Sequence, residues 1–154
     1  MLRELLTSLK VDDIALNKYL EEDDCTTAVV QSYTVLRRLS LFPWQSKLVQ
    51  AIKMISLSLK KDLVITMRTG YGKTPLIAVI AKTLALTTAR PVYVCTMSQY
   101  LTNVAFQYYS FQEDSNHGSC MSSEKLITYL NLEDLNELRD EELAVSTVIF
   151  DEID

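Results

Sequence analysis

The reading of the fold turns on Leu63-Val64-Ile65-Thr66-Met67-Arg68-Thr69-Gly70-Tyr71-Gly72-Lys73-Thr74, where the hydrophobic period changes. Leu63–Met67 is a short β-rich run that reads as a buried strand. Arg68–Lys73 reads as a turn, and Thr74–Leu86 as a helix with Pro75 in its first turn, where proline is tolerated. The 154 residues include three glycines, against about eleven at average usage. Two of the three, Gly70 and Gly72, stand in this turn. Glycine serves where the backbone takes a positive φ or comes close to a ligand. The N–H groups of such a turn converge on one concavity, and the following helix adds the positive end of its dipole; together they bind phosphate. On this reading Lys73 reaches the β- and γ-phosphates and Thr74 places its hydroxyl on Mg²⁺. The strict phosphate-loop spacing asks for a further glycine at position 67, where this chain has Met67.

Working outward, Pro91–Cys95 reads as a second strand, Ser98 to about Phe111 as a helix, and the residues to Ser123 as a polar loop. Leu126–Leu130 reads as a third strand, Leu132–Leu143 as a short acidic helix, and Val145–Phe150 as a last strand. Upstream, leucines at helical spacing predict a helix over Leu2–Leu20. A second runs from Thr26 or Thr27, as its cap, to about Leu39, and a third starts at Phe42-Pro43 with Leu48, Ile52, Ile55 and Leu59 on one face. Strands alternating with helices predict an α/β fold, a parallel sheet with helices on both faces. The expected organisation is a helical leader over residues 1–40 and a nucleotide-binding domain over 41–154.

A second motif supports the first. Val148-Ile149-Phe150-Asp151-Glu152-Ile153-Asp154 is an apolar strand that delivers two acids at its carboxyl end, 77 residues after Thr74. This is the Walker B arrangement: Asp151 would hold Mg²⁺ through water, and Glu152 would orient the attacking water. Ligands in such sheets bind beyond the carboxyl ends of the strands, where both motifs lie. Gln45, in Phe42-Pro43-Trp44-Gln45, is the third candidate. Its amide can both donate to and accept from an adenine edge. The competing reading makes it a surface glutamine on a helix whose Phe42 and Trp44 are core.

Composition narrows the class. With 48% hydrophobic and 23% charged residues the chain is neither a disordered tail nor low-complexity. A net charge of -5 argues against a wholly basic nucleic-acid-coating module. Cys25, Cys95 and Cys120 are far apart and odd in number, which fits reduced thiols rather than a disulfide framework or a metal site. His117 lies in a polar stretch with nothing beside it to orient it as a base. The first residues, Met-Leu-Arg-Glu-Leu-Leu, do not form a signal peptide. The apolar stretch Pro75–Leu86 carries Lys82 and is too short to span a bilayer.

Four stretches carry a family resemblance. Met67–Thr74 resembles the loop Met-x-Thr-Gly-Glu-Gly-Lys-Thr of the SecA family of protein-translocation ATPases, with Tyr71 where the family has Glu. Val92–Leu101 is similar to that family's strand and following Thr-Val-Asn-Asp-Tyr-Leu. Ile127-Thr128-Tyr129 with Leu138-Arg139-Asp140 is similar to its Ile-Thr-Tyr-Gly-Thr and Leu-Arg-Asp run, without the Gly-Thr. The ending Asp151-Glu152-Ile153-Asp154 resembles its Asp-Glu-Val-Asp. The resemblance covers about residues 40–154 and implies a DEAD-like, superfamily-two RecA-like domain, a P-loop NTPase using ATP and Mg²⁺.

It implies a nucleotide site of Gln45, Thr69, Gly70, Tyr71, Gly72, Lys73 and Thr74, a metal held by Thr74 and Asp151, and catalysis by Lys73 and Glu152. It further implies a cytoplasmic motor, peripheral to a membrane, that moves unfolded polypeptide at a translocon and needs a second RecA-like domain for turnover. The expectation is that these residues are half of such an engine. The rival is an RNA or DNA helicase, which commonly carries arginines after the second strand and in a later Thr-Pro-Gly-Arg. Here those places read Thr96-Met97-Ser98-Gln99-Tyr100-Leu101 and Thr128-Tyr129-Leu130-Asn131, without arginine, whereas strand binding depends on cationic contacts. A non-hydrolysing ATP-binding scaffold is the third class.

Overall fold

A computed structural model describes residues 24–58, 63–68, 70–111 and 126–151. Helices α1 (Asp24–Arg37), α2 (Pro43–Ser58) and α3 (Lys73–Thr88) lead into strand β1 (Val92–Thr96). Helix α4 (Gln99–Val104) runs directly into a π-helical turn, Ala105–Tyr109. Strand β2 (Ile127–Asn131), helices α5 (Leu132–Glu137) and α6 (Asp140–Ala144), and strand β3 (Thr147–Phe150) follow. The strands lie in the order β2-β1-β3, with β1 parallel to both neighbours. This is the α/β parallel sheet the alternation of strands and helices calls for.

The sheet is covered on both faces because its side chains alternate. Val92 and Val94 of β1, with Ile127, Tyr129 and Ile149 beside them, pack into a large core built from α1, α2 and α3. Tyr93, Cys95, Leu130 and Val148 point the other way and pack with Leu135, Leu138 and Leu143 around α5 and α6. Helix α3 is the centre of the larger core. Leu76, Ala78, Val79, Ile80, Ala81, Leu84 and Ala85 are all buried in it, so α3 is apolar on most of its circumference, as a helix wedged between others must be. It ends on a non-glycine left-handed residue, Ala89 at φ 51, whose N–H donates to the Ala85 carbonyl at 3.0 Å. That conformation costs an alanine roughly 1 kcal/mol, offset by the satisfied carbonyl and the sharp entry into β1.

The end of the π-helical turn is capped by tertiary contacts. Tyr33 Oη donates to the Tyr109 carbonyl at 2.8 Å, Arg37 Nε to the Ser110 carbonyl at 2.7 Å, and Arg37 Nη1 to the Gln107 carbonyl at 3.1 Å. Carbonyls at the end of a helix have no partner within it, and α1 supplies theirs. The Tyr33 ring also packs on Phe111, centroids 5.1 Å apart, and Lys82 Nζ lies 5.4 Å from the Phe111 centroid.

Four expectations need correction. Leu63–Met67 is extended but unpaired, and Val64 is 89% exposed. Leu63 and Met67 at its two ends pack against the core. β-branched residues suit a pleated surface, but a strand also needs a neighbour to bond to, and the described sheet has none beside this run. Helix α1 starts at Asp24, so Thr26 lies inside it rather than at its cap. Thr26 is buried, and its hydroxyl donates to Gln50 Oε1 of α2 at 2.7 Å. The acidic helix expected over Leu132–Leu143 is two helices, broken where Leu138 (ψ 143) and Arg139 (ψ 148) are extended. Glu142 accepts the Arg139 N–H at 3.0 Å to start α6. The helix expected over Ser98–Phe111 changes to π winding at Ala105. The helix expected over Leu2–Leu20, Leu59 on the third helix, and the polar loop holding His117 and Cys120 lie outside the described residues.

Burial raises the Tyr33 and Tyr129 phenols well above their ordinary value of 10.0. A group whose folded pKa is raised stabilises the fold fully below its unfolded pKa, and the contribution is lost as pH climbs through the folded value. Melting temperature should therefore hold steady from pH 7 to about 9 and fall above about 10. Tyr33→Phe should cost about 1 kcal/mol at neutral pH for the lost hydrogen bond and make the alkaline fall shallower. A melting series across this range, with and without the substitution, checks both.

Candidate nucleotide site

The turn before α3 uses its two glycines for backbone that other residues avoid. Gly70 has φ 84 and Gly72 φ 73, values that L side chains rarely adopt. The Tyr71 N–H donates to the Arg68 carbonyl at 3.4 Å to close the turn. Gly72 is the N-cap of α3; it brings no capping side chain, and its carbonyl accepts from Leu76 at 3.2 Å as the first helical bond. The first N–H groups of a helix have no acceptor within it, so with no capping side chain this end is suited to an anion. Lys73 and Thr74, both half-buried, stand in its first turn. Tyr71 is 49% exposed.

Sheet register fixes the other wall. Thr96 is level with Asn131 and Cys95 with Phe150, and the Asp151 N–H donates to the Cys95 carbonyl at 2.9 Å. Asp151 is thereby carried to the carboxyl edge beside Thr96. A cleft opens there, lined by Thr74, Thr96, Leu101, Val104, Ala105 and Asp151. Thr74 and Asp151, 77 residues apart in sequence, thus share one cleft beside the glycine loop. A hydroxyl and a carboxylate are hard oxygen donors of the kind Mg²⁺ takes, with water and phosphate oxygens completing its octahedron; the residues present fit the ion. One of the Thr96 and Thr102 hydroxyls donates to the other at 2.7 Å, which leaves one proton for the Ser98 carbonyl, 3.1 Å from Thr96 Oγ1 and 3.0 Å from Thr102 Oγ1. Ser98 Oγ accepts the Leu101 N–H at 3.2 Å. These bonds fix the start of α4 as a rigid side of the cleft. Burial pushes the Tyr129 phenol up, with Tyr33 and the Asp151 carboxylate adding and Arg37 opposing, so Tyr129 stays protonated.

Gln45 lies beneath the loop. It is 2% exposed; its Oε1 accepts the Phe42 N–H and its Nε2 donates to the Tyr71 carbonyl, each at 2.8 Å. The Trp44 ring packs on Tyr71 with centroids 6.3 Å apart. Thr69 and Glu152 lie outside the described residues. Three parts of the site escaped the sequence reading: the Trp44–Tyr71 pair, the Thr96–Ser98–Thr102 bonds, and the wall of Leu101, Val104 and Ala105. The position of Thr96 at the carboxyl end of a strand was the available signal for the second of these. Among the described residues no cluster of His, Cys, Asp and Glu forms a separate metal site. Cys25 and Cys95 are free thiols, and burial raises the Cys95 pKa.

Residues 4–111 match the family model described as the SecA DEAD-like domain. No curated protein and no solved structure matches the chain. The match takes in the glycine loop, α1 to α4 and β1, and it reaches back to residue 4. It stops before β2 and β3, so the placement of Asp151 beside Thr74 is independent of it.

The two glycines differ in what an added Cβ meets. At Gly70 it finds nothing within 4 Å; at Gly72 it lies 3.1 Å from Gln45 Nε2. Gly70→Ala should cost only the left-handed strain, roughly 1–2 kcal/mol. At Gly72 the same strain comes with a tight contact that the Gln45 amide must yield to, so Gly72→Ala should lower the melting temperature more than Gly70→Ala.

Proposed function

The chain belongs to the SecA DEAD-like domain family, and from that premise we propose that it binds Mg·ATP at the glycine loop and couples ATP hydrolysis to movement of unfolded polypeptide. The family is one of helicase-superfamily ATPase domains. The observation that carries the nucleotide reading is the convergence of Thr74 and Asp151 on one cleft at the carboxyl edge of the sheet. Backbone N–H groups of the loop and the start of α3 hold the phosphates, and Lys73 sets its charge against the β- and γ-oxygens. Thr74 and Asp151 hold the metal, and Glu152 orients water toward the γ-phosphate. Mg²⁺, when bound, neutralises charge on the transferring phosphoryl group.

The choice of polypeptide over nucleic acid rests on charge. From Thr96 to Phe111, and again from Leu126 to Leu132, there is no Lys or Arg. These stretches flank the carboxyl edges of β1 and β2, and a grip on a phosphate backbone requires cations there. The domain works in the cytoplasm, peripheral to a membrane and a translocon. Among the described residues no helix is long and apolar enough to cross a membrane. Turnover requires a second RecA-like domain to close over the γ-phosphate.

Lys73→Ala should weaken Mg·ATP binding about ten- to a hundredfold, the worth of a charge-assisted hydrogen bond. Asp151→Asn should remove most of the Mg²⁺ dependence while leaving the metal-free affinity. Calorimetry with and without Mg²⁺ measures both. The 154-residue chain alone should turn over slowly; fast hydrolysis abolished by Lys73→Ala would overturn the need for a partner domain. ATPase of the whole protein should rise with unfolded polypeptide and anionic lipid. A rise with single-stranded RNA alone would replace the polypeptide reading with a helicase.

A further inference from the structure

We infer that Arg37 of α1 is a positioning residue for the nucleotide cleft, acting through the π-helical turn whose first residue, Ala105, lines that cleft. The inference rests on the nucleotide reading above. Helix α4 and the turn are one continuous segment. Leu101 and Val104 lie in α4, Ala105 begins the turn, and all three line the cleft with Thr74 and Asp151. The Ala105 N–H is shared between the Leu101 and Thr102 carbonyls, so the change of winding falls on the cleft wall itself. A π winding bonds each N–H to the carbonyl five residues back instead of four, and it is rare outside single turns. Contacts from outside the segment must therefore favour it here.

Side chains supply those contacts. Ser110 Oγ donates to the Phe106 carbonyl, Arg37 Nη1 to that of Gln107, Tyr33 Oη to that of Tyr109 and Arg37 Nε to that of Ser110. Arg37 alone takes two carbonyls, one inside the turn and one at its end. A guanidinium presents its donors as a rigid planar fork and can hold two acceptors at a fixed separation, which an ammonium on a flexible stem does not do. Rings hold the turn from its other sides. Phe106 meets Tyr129 of β2 edge-on with centroids 6.0 Å apart. Phe111 meets both the Tyr33 ring and the Lys82 ammonium of α3.

Influence passes between distant parts of a protein where the linking element has two discrete arrangements. This segment has two, the π winding it adopts and the α winding of α4 continued. While both Arg37 bonds hold, the turn keeps its winding and the wall of Leu101, Val104 and Ala105 stands fixed beside Thr74 and Asp151. When they break, the segment is free to rewind and the wall shifts. A wall set before Mg·ATP arrives strengthens its binding, because the ordering is not then charged against the ligand.

The test joins calorimetry of ATP, with and without Mg²⁺, to amide hydrogen exchange of the nucleotide-free whole chain. The variants are Arg37→Met, which keeps the stem without the donors, and Arg37→Lys, which keeps the charge without the fork. Thr26→Val is the control: it removes a hydrogen bond between α1 and α2 that does not involve the turn. Arg37→Met should speed exchange over residues 101–111 about tenfold or more, the worth of a hydrogen bond from a charged donor, and leave the β1 amides as protected as before. It should weaken Mg·ATP about three- to tenfold at a temperature where every variant is folded, and metal-free ATP less, since the wall stands beside Thr74 and Asp151. Arg37→Lys should show the same changes in smaller measure. Thr26→Val should lower the melting temperature and show neither change. If Arg37→Met and Thr26→Val weaken Mg·ATP alike, in proportion to lost melting temperature, Arg37 serves stability alone and the inference is overturned. Exchange that quickens evenly over β1 and residues 101–111 overturns it too, and Arg37→Lys decides by the same readouts if Arg37→Met does not fold. Wild-type chain that binds no Mg·ATP sinks the nucleotide reading and this role with it. Unchanged exchange over residues 101–111 in Arg37→Met refutes the brace whatever the chain binds, so the two failures are told apart.

Discussion

Strand β1 lies between two parallel neighbours, and that pairing sets the position of everything chemical in the molecule. Parallel strands all present their carboxyl ends to the same edge. The register of Cys95 with Phe150 and the bond from Asp151 N–H to the Cys95 carbonyl bring the acid to the level of Thr96. Without β1 in the centre, Thr74 at the start of α3 and Asp151 after β3 would have no reason to meet. Because Val92 and Val94 face one core while Tyr93 and Cys95 face the other, a slip of one residue would exchange the two faces. The two cores therefore hold the register, and the register holds the site.

Around this edge, side chains from distant parts of the chain complete backbone that would otherwise lack partners. Helix α2 supplies Gln45 to the Tyr71 carbonyl, and α1 supplies Tyr33 and Arg37 to the carbonyls at the end of the π-helical turn. The turn follows directly from α4, whose Leu101 and Val104, with Ala105, form a wall of the cleft. The helices ahead of the loop are thus structural members of the site, and the family match from residue 4 to 111 spans them together with the loop.

Several features were legible before any coordinates. The turn at Gly70 and Gly72 is one, because two close glycines ahead of a helix start ask for the positive φ that both residues adopt. The apolar runs Pro91–Cys95, Leu126–Leu130 and Val145–Phe150 mark strands that the structure places one or two residues later at Val92–Thr96, Ile127–Asn131 and Thr147–Phe150. Leu63–Met67 failed by the same rule: its side chains suit a sheet, but Val64 is left in solvent because pairing depends on a neighbour. Gln45 was visible as a candidate through its amide and its position upstream of the loop. Its partners were not, since the Tyr71 carbonyl is 26 residues away. The two-part α5–α6 was hidden because the break at Leu138 and Arg139 involves neither glycine nor proline.

Local structure was settled by sequence alone: which turn takes positive φ, and where α2 and α3 begin. These depend on neighbours within a few positions, where sterics and hydrogen bonding act directly. Tertiary structure decided what depends on distant partners: that Thr74 and Asp151 share a cleft, that Gln45 spends its amide on backbone, that α1 caps the π-helical turn, and that a β-rich run stays unpaired. Each of these turns on a contact between residues far apart in the chain, and no periodicity or spacing encodes such a contact until the sheet register brings the two ends together.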